Sequence, residues 1–246
     1  CIRDRYDVVS KYFKIRGIYL RCDVALREKE GLEEYVGWYD KIPVTSQETT
    51  TEIVENGLKY LVDFKEGQKT GFFLDQKYNR LTIRNLAKDM TVLDCCTHTG
   101  SFAMNAALGG AKKVMALDIS QKALLDAKKN FWLNNLNIDT YCADLFDYLR
   151  KLVDSKNKEY NLIILDPPAF TKSKDTIKSA LKGYQEINYL AMKALPRGGY
   201  LATASCSHYA SEEDFIRAIF NASIMAGVSL RVVKKSYAAP DHPEVM

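Results

Sequence analysis

Along the first 65 residues, apolar positions come in short clusters broken by charge. From Asp4 to Phe13 they recur at helical spacing, as Tyr6, Val9 and Phe13, which predicts a helix. The stretch from Gly17 to Val24 is rich in β-formers, and Arg27-Glu28-Lys29-Glu30-Gly31 interrupts it with a charged, turn-like segment. Between Glu52 and Asp63 two β-forming runs flank Asn56-Gly57. That pair accepts the positive φ of a tight turn, so a β-hairpin is predicted. Residues 1–65 therefore read as a small β-rich domain with no catalytic constellation of its own, suited at most to positioning a substrate or RNA.

From about residue 66 the pattern changes to apolar runs alternating with amphipathic segments. Predicted strands are Thr91–Asp94, Lys113–Asp118, Asp139–Asp144, Leu162–Asp166, the run Gly199–Ala202 that leads to Cys206, and Ser229–Tyr237. Predicted helices are Ser101–Leu108, Ser120–Asn134 with Ser120 as N-cap, Asp147–Val153, Gly183–Ala194 and Glu212–Met225. Strand–helix alternation of this kind predicts an α/β fold, a Rossmann-like doubly wound parallel sheet with crossovers on both faces, preceded by the small α+β domain. The second domain is assigned to residues 66–246. No repeat or low-complexity segment interrupts it.

Such sheets bind ligands beyond the carboxyl ends of their strands, where strand order reverses. Four predicted strands end at an acid: Asp94, Asp118, Asp144 and Asp166. The first loop, Asp94-Cys95-Cys96-Thr97-His98-Thr99-Gly100-Ser101-Phe102, has a glycine that lets backbone approach a ligand. It is neither GxGxxG nor a P-loop, so a pyrophosphate cradle is disfavoured. Asp118 can accept hydrogen bonds from both ribose hydroxyls of an adenosine, and Ile119 can pack on the adenine face. Asp144 and Leu145 can meet the adenine edge. A nucleoside held without a pyrophosphate site points to S-adenosyl-L-methionine.

Asp166-Pro167-Pro168-Ala169-Phe170 is a stiff loop, because two prolines fix φ and remove donors. Beside a sulfonium it could hold a flat base. Cys206, in Ser205-Cys206-Ser207-His208, would then be a nucleophile. A thiolate adding to carbon 6 of a pyrimidine makes carbon 5 nucleophilic. The bland alternative is a structural cysteine. Polar neighbours favour reactivity. His98 and His208 read first as loop histidines.

Composition narrows the setting. The chain of 246 residues carries a net charge of +4 and six cysteines. None forms a CxxC pair or a zinc-like spacing, so no metal is expected and a reducing cytoplasm is. No apolar run approaches the roughly 18 residues that cross a bilayer. The mild positive charge permits a polyanionic partner. The start without Met and the end at Asp241-His242-Pro243-Glu244-Val245-Met246 suggest sequence beyond one or both ends.

The chain resembles the class I S-adenosylmethionine-dependent methyltransferases that make 5-methylcytosine in large-subunit (23S) ribosomal RNA. The resemblance rests on Arg27-Glu28-Lys29-Glu30-Gly31-Leu32, Gly71-Phe72-Phe73-Leu74-Asp75-Gln76, Asn79-Arg80, Val92-Leu93-Asp94 with Thr99-Gly100, Asp166-Pro167-Pro168, Gly183-Tyr184 with Glu186-Ile187-Asn188, and Ser205-Cys206-Ser207. Family members usually carry an amino-terminal PUA domain, which is not among these residues. The resemblance implies that Phe73 to Arg80 lies over the cofactor, with Gln76 and Arg80 near its methionine end. Asp94, Thr99, Gly100 and Phe102 would border that end. Asp118 and Ile119 would hold the ribose and adenine, Asp144 and Leu145 the adenine edge. Asp166 and Pro167 would face the methyl group, and Cys206 would attack the base. Many RNA cytosine-5 methyltransferases have a second cysteine where this chain has Pro168, but members of the present family lack it. The expected partner is ribosomal RNA, presented as a single-stranded or flipped-out base. Arg3, Arg5, Lys11, Lys14, Lys172, Lys174 and Lys178 are candidates for its phosphates, and Phe170 and Tyr209 for stacking. A homodimer is compatible with this reading. The competing readings are methylation of a base nitrogen, with Cys206 a bystander, and an RNA-binding module without catalysis.

Overall fold

The computed structural model describes residues 2–22, 26–67, 71–171, 173–207 and 209–242. The chain forms two compact units, Cys1–Ile53 with Leu61–Phe73, and Val54–Tyr60 with Leu74–Met246. Where the sequence suggested one cut near residue 65, the chain passes between the units three times.

The first unit contains helix α1 (Ile2–Val9), strand β1 (Tyr19–Cys22), the short helix α2 (Leu26–Lys29) and strand β2 (Tyr35–Trp38). β1 and β2 pair antiparallel, with Tyr19 opposite Trp38 and Cys22 opposite Tyr35. The hairpin β3 (Thr50–Glu55) and β4 (Leu58–Asp63) turns on Asn56 and Gly57, at φ of 53° and 75°. Both are left-handed, as a two-residue turn between right-twisted strands requires. Along β4, Leu58, Tyr60 and Val62 are buried while Lys59 and Leu61 face solvent, the period-two alternation of a half-buried strand.

The second unit takes Val54–Tyr60 from that hairpin and, from Leu74 onward, begins its helices with α3 (Lys77–Leu86). It continues as β5 (Thr91–Cys95), α4 (Ser101–Leu108), β6 (Lys113–Asp118), α5 (Gln121–Leu133), β7 (Asp139–Cys142), α6 (Leu145–Asp154), β8 (Leu162–Leu165), α7 (Ile177–Ala194), β9 (Tyr200–Thr203) and α8 (Glu212–Ala226). The five strands pair in parallel in the order β7-β6-β5-β8-β9. Order reverses between β5 and β8, so the crevice for a ligand lies beyond those carboxyl ends. Leu93 and Cys95 of β5 and Ile163 and Leu165 of β8 join a core that includes Leu149 of α6 and Ile187 of α7. The intervening Asp94 faces the other way, toward α4.

Ser229–Tyr237 is not a strand. Its β-branched composition suits one, but a strand also needs a ladder partner and a buried face. Residues 227–238 are exposed throughout and pair with no strand among the described residues. α3 is polar on most of its positions, so the apolar pattern of the sequence does not predict it. No described helix is long and apolar enough to cross a membrane.

Candidate active site

Strand register fixes the floor of the site. Cys95 stands level with Leu117 of β6 and Leu165 of β8, and Leu165 with Thr203 of β9. Asp118 and Asp166 therefore project one residue beyond a common level. Asp94 lies one residue below it, inside β5. Asp144 lies two residues past the end of β7.

Each acid has its own duty. Asp94 is 1% exposed. Its Oδ2 accepts from Thr97 Oγ1 at 2.6 Å and from the Ala103 backbone amide at 2.9 Å. Gly100, the N-cap of α4, has no side chain to satisfy the first turn, so Asp94 performs that capping from the neighbouring strand. Burial pushes its carboxyl up to about 7, against the pull of those two hydrogen bonds. Asp118 accepts from the His98 amide on Oδ2 and the Ser120 amide on Oδ1, each at 2.9 Å. The carboxylate is thereby fixed in orientation, with lone pairs left on both oxygens. Next to it Ile119 is 70% exposed. Asp144 caps α6 with Oδ1, accepting from Phe146 and Asp147 amides at 2.8 and 3.1 Å. Gln76 Nε2 reaches Asp166 at 3.4 and 3.5 Å, and Gln76 Oε1 accepts from Asn79 Nδ2 at 2.7 Å.

The loop after β5 is tightly wound. Cys96 and His98 have φ of 60° and 52°, and Gly100 has 81°. A Cβ on Gly100 would stand 2.3 Å from Phe131 Cε1, so glycine is required by both conformation and space. Asn130 Nδ2 donates to the Thr99 carbonyl at 3.0 Å. Burial lowers the affinity of His98 for a second proton, with Asp118 opposing. Phe102 and Leu145 are 8% and 7% exposed, so both side chains serve packing.

On the other side of the switch point, Cys206 is exposed. Its Sγ lies 3.6 Å from the Pro167 carbonyl oxygen. The loop that carries it is tied down by Ser205, which donates to the Tyr184 phenol oxygen at 3.1 Å and accepts from the Ser207 amide at 3.3 Å. Tyr184 is fully buried in α7. Sequence reasoning did not find this anchor, since a tyrosine in an apolar helix reads as core. The neighbouring Thr203 Oγ1 and Ser207 Oγ are buried without a hydrogen-bond partner among the described residues. Cys95 and Cys96 differ from Cys206. Burial raises both thiols, Cys96 to about 12, which suppresses the thiolate.

Arg80 is 1% exposed and grips Glu55 with Nε at 2.6 Å and Nη2 at 2.9 Å. It stands in a buried ion pair. Phe170 packs on Tyr184, ring centroids 4.6 Å apart. Phe73 belongs to the first unit. Lys172 and His208 lie outside the described residues, as do the side chains of Arg3 and Lys174. Among the described residues no cluster of His, Cys, Asp or Glu is arranged for a metal.

The donor set suits S-adenosylmethionine. Asp118 and Asp144 offer acceptors for ribose hydroxyls and an exocyclic amine, exposed Ile119 offers an apolar face, and Asp166 offers negative charge to a cationic methionine end.

Comparison with known proteins bears on the same residues. A family model described as S-adenosylmethionine-dependent methyltransferase matches residues 32–246. Ribosomal RNA large subunit methyltransferase I of Pseudoalteromonas atlantica is 40% identical over 237 residues, 94% of this chain and 58% of that protein. The Vibrio vulnificus protein of that name is 40% identical over 243 residues, 96% of this chain and 60% of its own length. The chain thus spans about three fifths of these relatives. A methyltransferase structure from Streptococcus mutans superimposes with TM-score 0.73 at 24% identity, covering 90% of this chain and 56% of that one. One from Agrobacterium tumefaciens gives 0.68 at 19%, covering 88% and 67%. Both share the fold. With the acids at the switch point, the match across the whole sheet-bearing unit means that the chain belongs to the S-adenosylmethionine-dependent methyltransferase family.

Proposed function

We propose that the chain methylates carbon 5 of a cytosine in large-subunit ribosomal RNA, with Cys206 as covalent nucleophile. The observation that carries this reading is the Cys206 thiol, exposed and 3.6 Å from the carbonyl of Pro167, in the loop that opens with Asp166. A base held by that loop would have the thiol beside it. The names of the relatives that match the chain support ribosomal RNA as the substrate class.

Bound S-adenosylmethionine supplies an electrophilic methyl group on a sulfonium. The residues of the chain do the rest. Asp118, Asp144 and Ile119 hold the nucleoside end, and Asp166, steadied by Gln76, faces the cationic end. The Cys206 thiolate forms a bond to carbon 6, and the electron pair of the 5,6 double bond makes carbon 5 nucleophilic. Once carbon 5 carries the methyl group, the spent donor being a neutral thioether, it loses its proton to water. The carbon 6–sulfur bond then breaks, the double bond returns and the thiolate leaves. Pro168 leaves no second cysteine in this loop to assist that departure. Tyr184 and Ser205 keep the thiol loop in place.

The test is Cys206→Ala with labelled methyl donor and unmodified ribosomal RNA, followed by nucleoside analysis. The expected result is loss of 5-methylcytosine by roughly 10³-fold or more, as for removal of other nucleophiles, with cofactor binding intact. Undiminished methylation in the variant, or label on a base nitrogen, would overturn the covalent route.

A further inference from the structure

The first unit holds a cavity that the reaction above does not use. It encloses about 300 Å³, the lower end of the range for small-ligand sites and enough for a single nucleotide. One side of it is a cluster of three aromatic rings. Tyr19 and Trp38 are cross-strand partners on β1 and β2, with ring centroids 5.3 Å apart at 88°. Phe64 completes the cluster, 5.6 Å from Tyr19 and 5.9 Å from Trp38. All three rings are only partly buried. Gly17 lets the chain pass along the indole, since a Cβ there would stand 2.9 Å from Trp38 Cζ3.

The rest of the lining is polar: Arg16, Ser46, Glu48 and Thr51. Arg16 and Glu48 are exposed, and Arg16 Nη2 reaches Thr51 Oγ1 at 3.4 Å. The segment that leads into the cavity is basic and aromatic by turns, Lys11-Tyr12-Phe13-Lys14. Tyr12 and Phe13 are 76% and 70% exposed. Between residues 8 and 22 there are four Lys and Arg and no acid.

Single-stranded nucleic acid is held by this combination, aromatic rings for the bases and cations for the phosphates, with arginine able to serve both. An acid in the lining adds an acceptor for a base amine, which a purely phosphate-binding patch would not need. We infer that the cavity takes one unpaired nucleotide of the RNA, its base stacked against the open faces of the Tyr19, Trp38 and Phe64 cluster and its phosphate on Arg16, while Lys11 to Lys14 engages the neighbouring backbone. This rests on RNA being the substrate. It adds a second grip on the strand, made by the first unit.

The chain has two tryptophans, so Trp38 can report directly. In a Trp132→Phe background its emission is followed while a single-stranded RNA oligonucleotide is added at low salt, with binding measured in parallel by mobility shift. The expected result is saturable quenching of Trp38 that a duplex of the same sequence does not produce. Arg16→Ala should weaken binding about tenfold and lower the slope of log affinity against log salt by about one. Adding Cys206→Ala should leave the quenching unchanged, because stacking needs no methyl transfer. RNA that shifts the protein without quenching Trp38, or quenching indifferent to Arg16→Ala, would overturn the inference alone. Failure of single-stranded RNA to bind by either readout would remove the RNA reading and this inference together. Quenching that persists while Cys206→Ala still methylates would sink only the covalent route.

Discussion

A carboxyl group that sits wholly inside a protein without a cation must be supported by what it caps. Asp94 is such a group, and its proton makes the support measurable. In the folded chain its carboxyl is pushed up to about 7, from an ordinary 3.8. A raised acid binds its proton more tightly when folded, so stability is not penalised below about pH 4 and falls as pH rises from there to about 7. Once both states are ionised the cost is on the order of 4 kcal/mol, an upper figure. Asp94→Asn keeps the acceptor for the Ala103 amide and removes the titration. Urea unfolding at pH 5 and pH 8 should show the wild type losing stability between the two and the variant losing markedly less. An equal loss in both would show that Asp94 does not carry the dependence. Gly100 gives the complementary steric case. With φ at 81° and Phe131 2.3 Å from the missing Cβ, Gly100→Ala should cost roughly 2–4 kcal/mol, read as a lower denaturation midpoint. The sequence exposed the acid and the glycine but not their connection, because hydrogen bonding between a strand and the following helix has no signature in spacing. The left-handed backbone of Cys96 is equally hidden, since cysteine does not announce a positive φ, whereas His98 is of a type enriched there.

At the scale of elements, α3 is the instructive case. Lys77 to Leu86 carries polar residues on most positions, and it was missed for that reason. Buried Ile83 and two hydrogen bonds from Arg84 help to seat it, and so does an ion pair, Arg80 with Glu55 at the end of β3, the two side chains 1% and 5% exposed. Removing one partner strands a charge indoors, so Arg80→Met should cost roughly 3–5 kcal/mol, while the double variant Arg80→Met with Glu55→Leu should recover most of that. If Arg80 instead served the cofactor, the double variant would remain as impaired in cofactor binding as the single one. Calorimetric titration with S-adenosylmethionine separates the two accounts. The buried parallel strands were legible because a strand covered on both faces is a short apolar run bounded by polar ends. Lys113–Asp118 and Ser101–Leu108 were read to the residue. Ser229–Tyr237 has the composition of a strand without being one, because propensity describes what a segment can do and says nothing about whether a partner stands beside it. Tyr184 belongs to this scale too. It links α7 to the thiol loop through a single 3.1 Å contact from Ser205. Tyr184→Phe retains the ring packing, so stability should fall by only about 1 kcal/mol, while kcat for methylation should fall more than KM rises. A proportionate change in both would mean that the phenol only supports the core.

For the whole molecule, the consequence of this architecture is that one ligand braces one unit. Candidate contacts for the cofactor come from β6, from the start of α6 and from the loop after β8, elements joined through a single sheet. The first unit, Cys1–Ile53 with Leu61–Phe73, contributes none of those strands. Because a ligand that binds only the folded state stabilises it by mass action, S-adenosylmethionine at a hundred times its Kd should add about 2.7 kcal/mol. For a unit of this size that is roughly 5–10 °C in Tm. Two compact units allow two melting transitions, and only the one that involves the sheet should move. Asp118→Ala removes the acceptor of the His98 and Ser120 amides as well as the proposed ribose contact, so its own baseline will fall. The informative quantity is therefore the shift on adding ligand. Each tenfold loss of affinity takes about 1.4 kcal/mol from it, and the variant should lose at least half of the wild-type response. Cys206→Ala, which leaves those acceptors untouched, should keep all of it. A full response in Asp118→Ala would move the nucleoside away from the end of β6, and with it the argument that the reversal of strand order between β5 and β8 locates the cofactor.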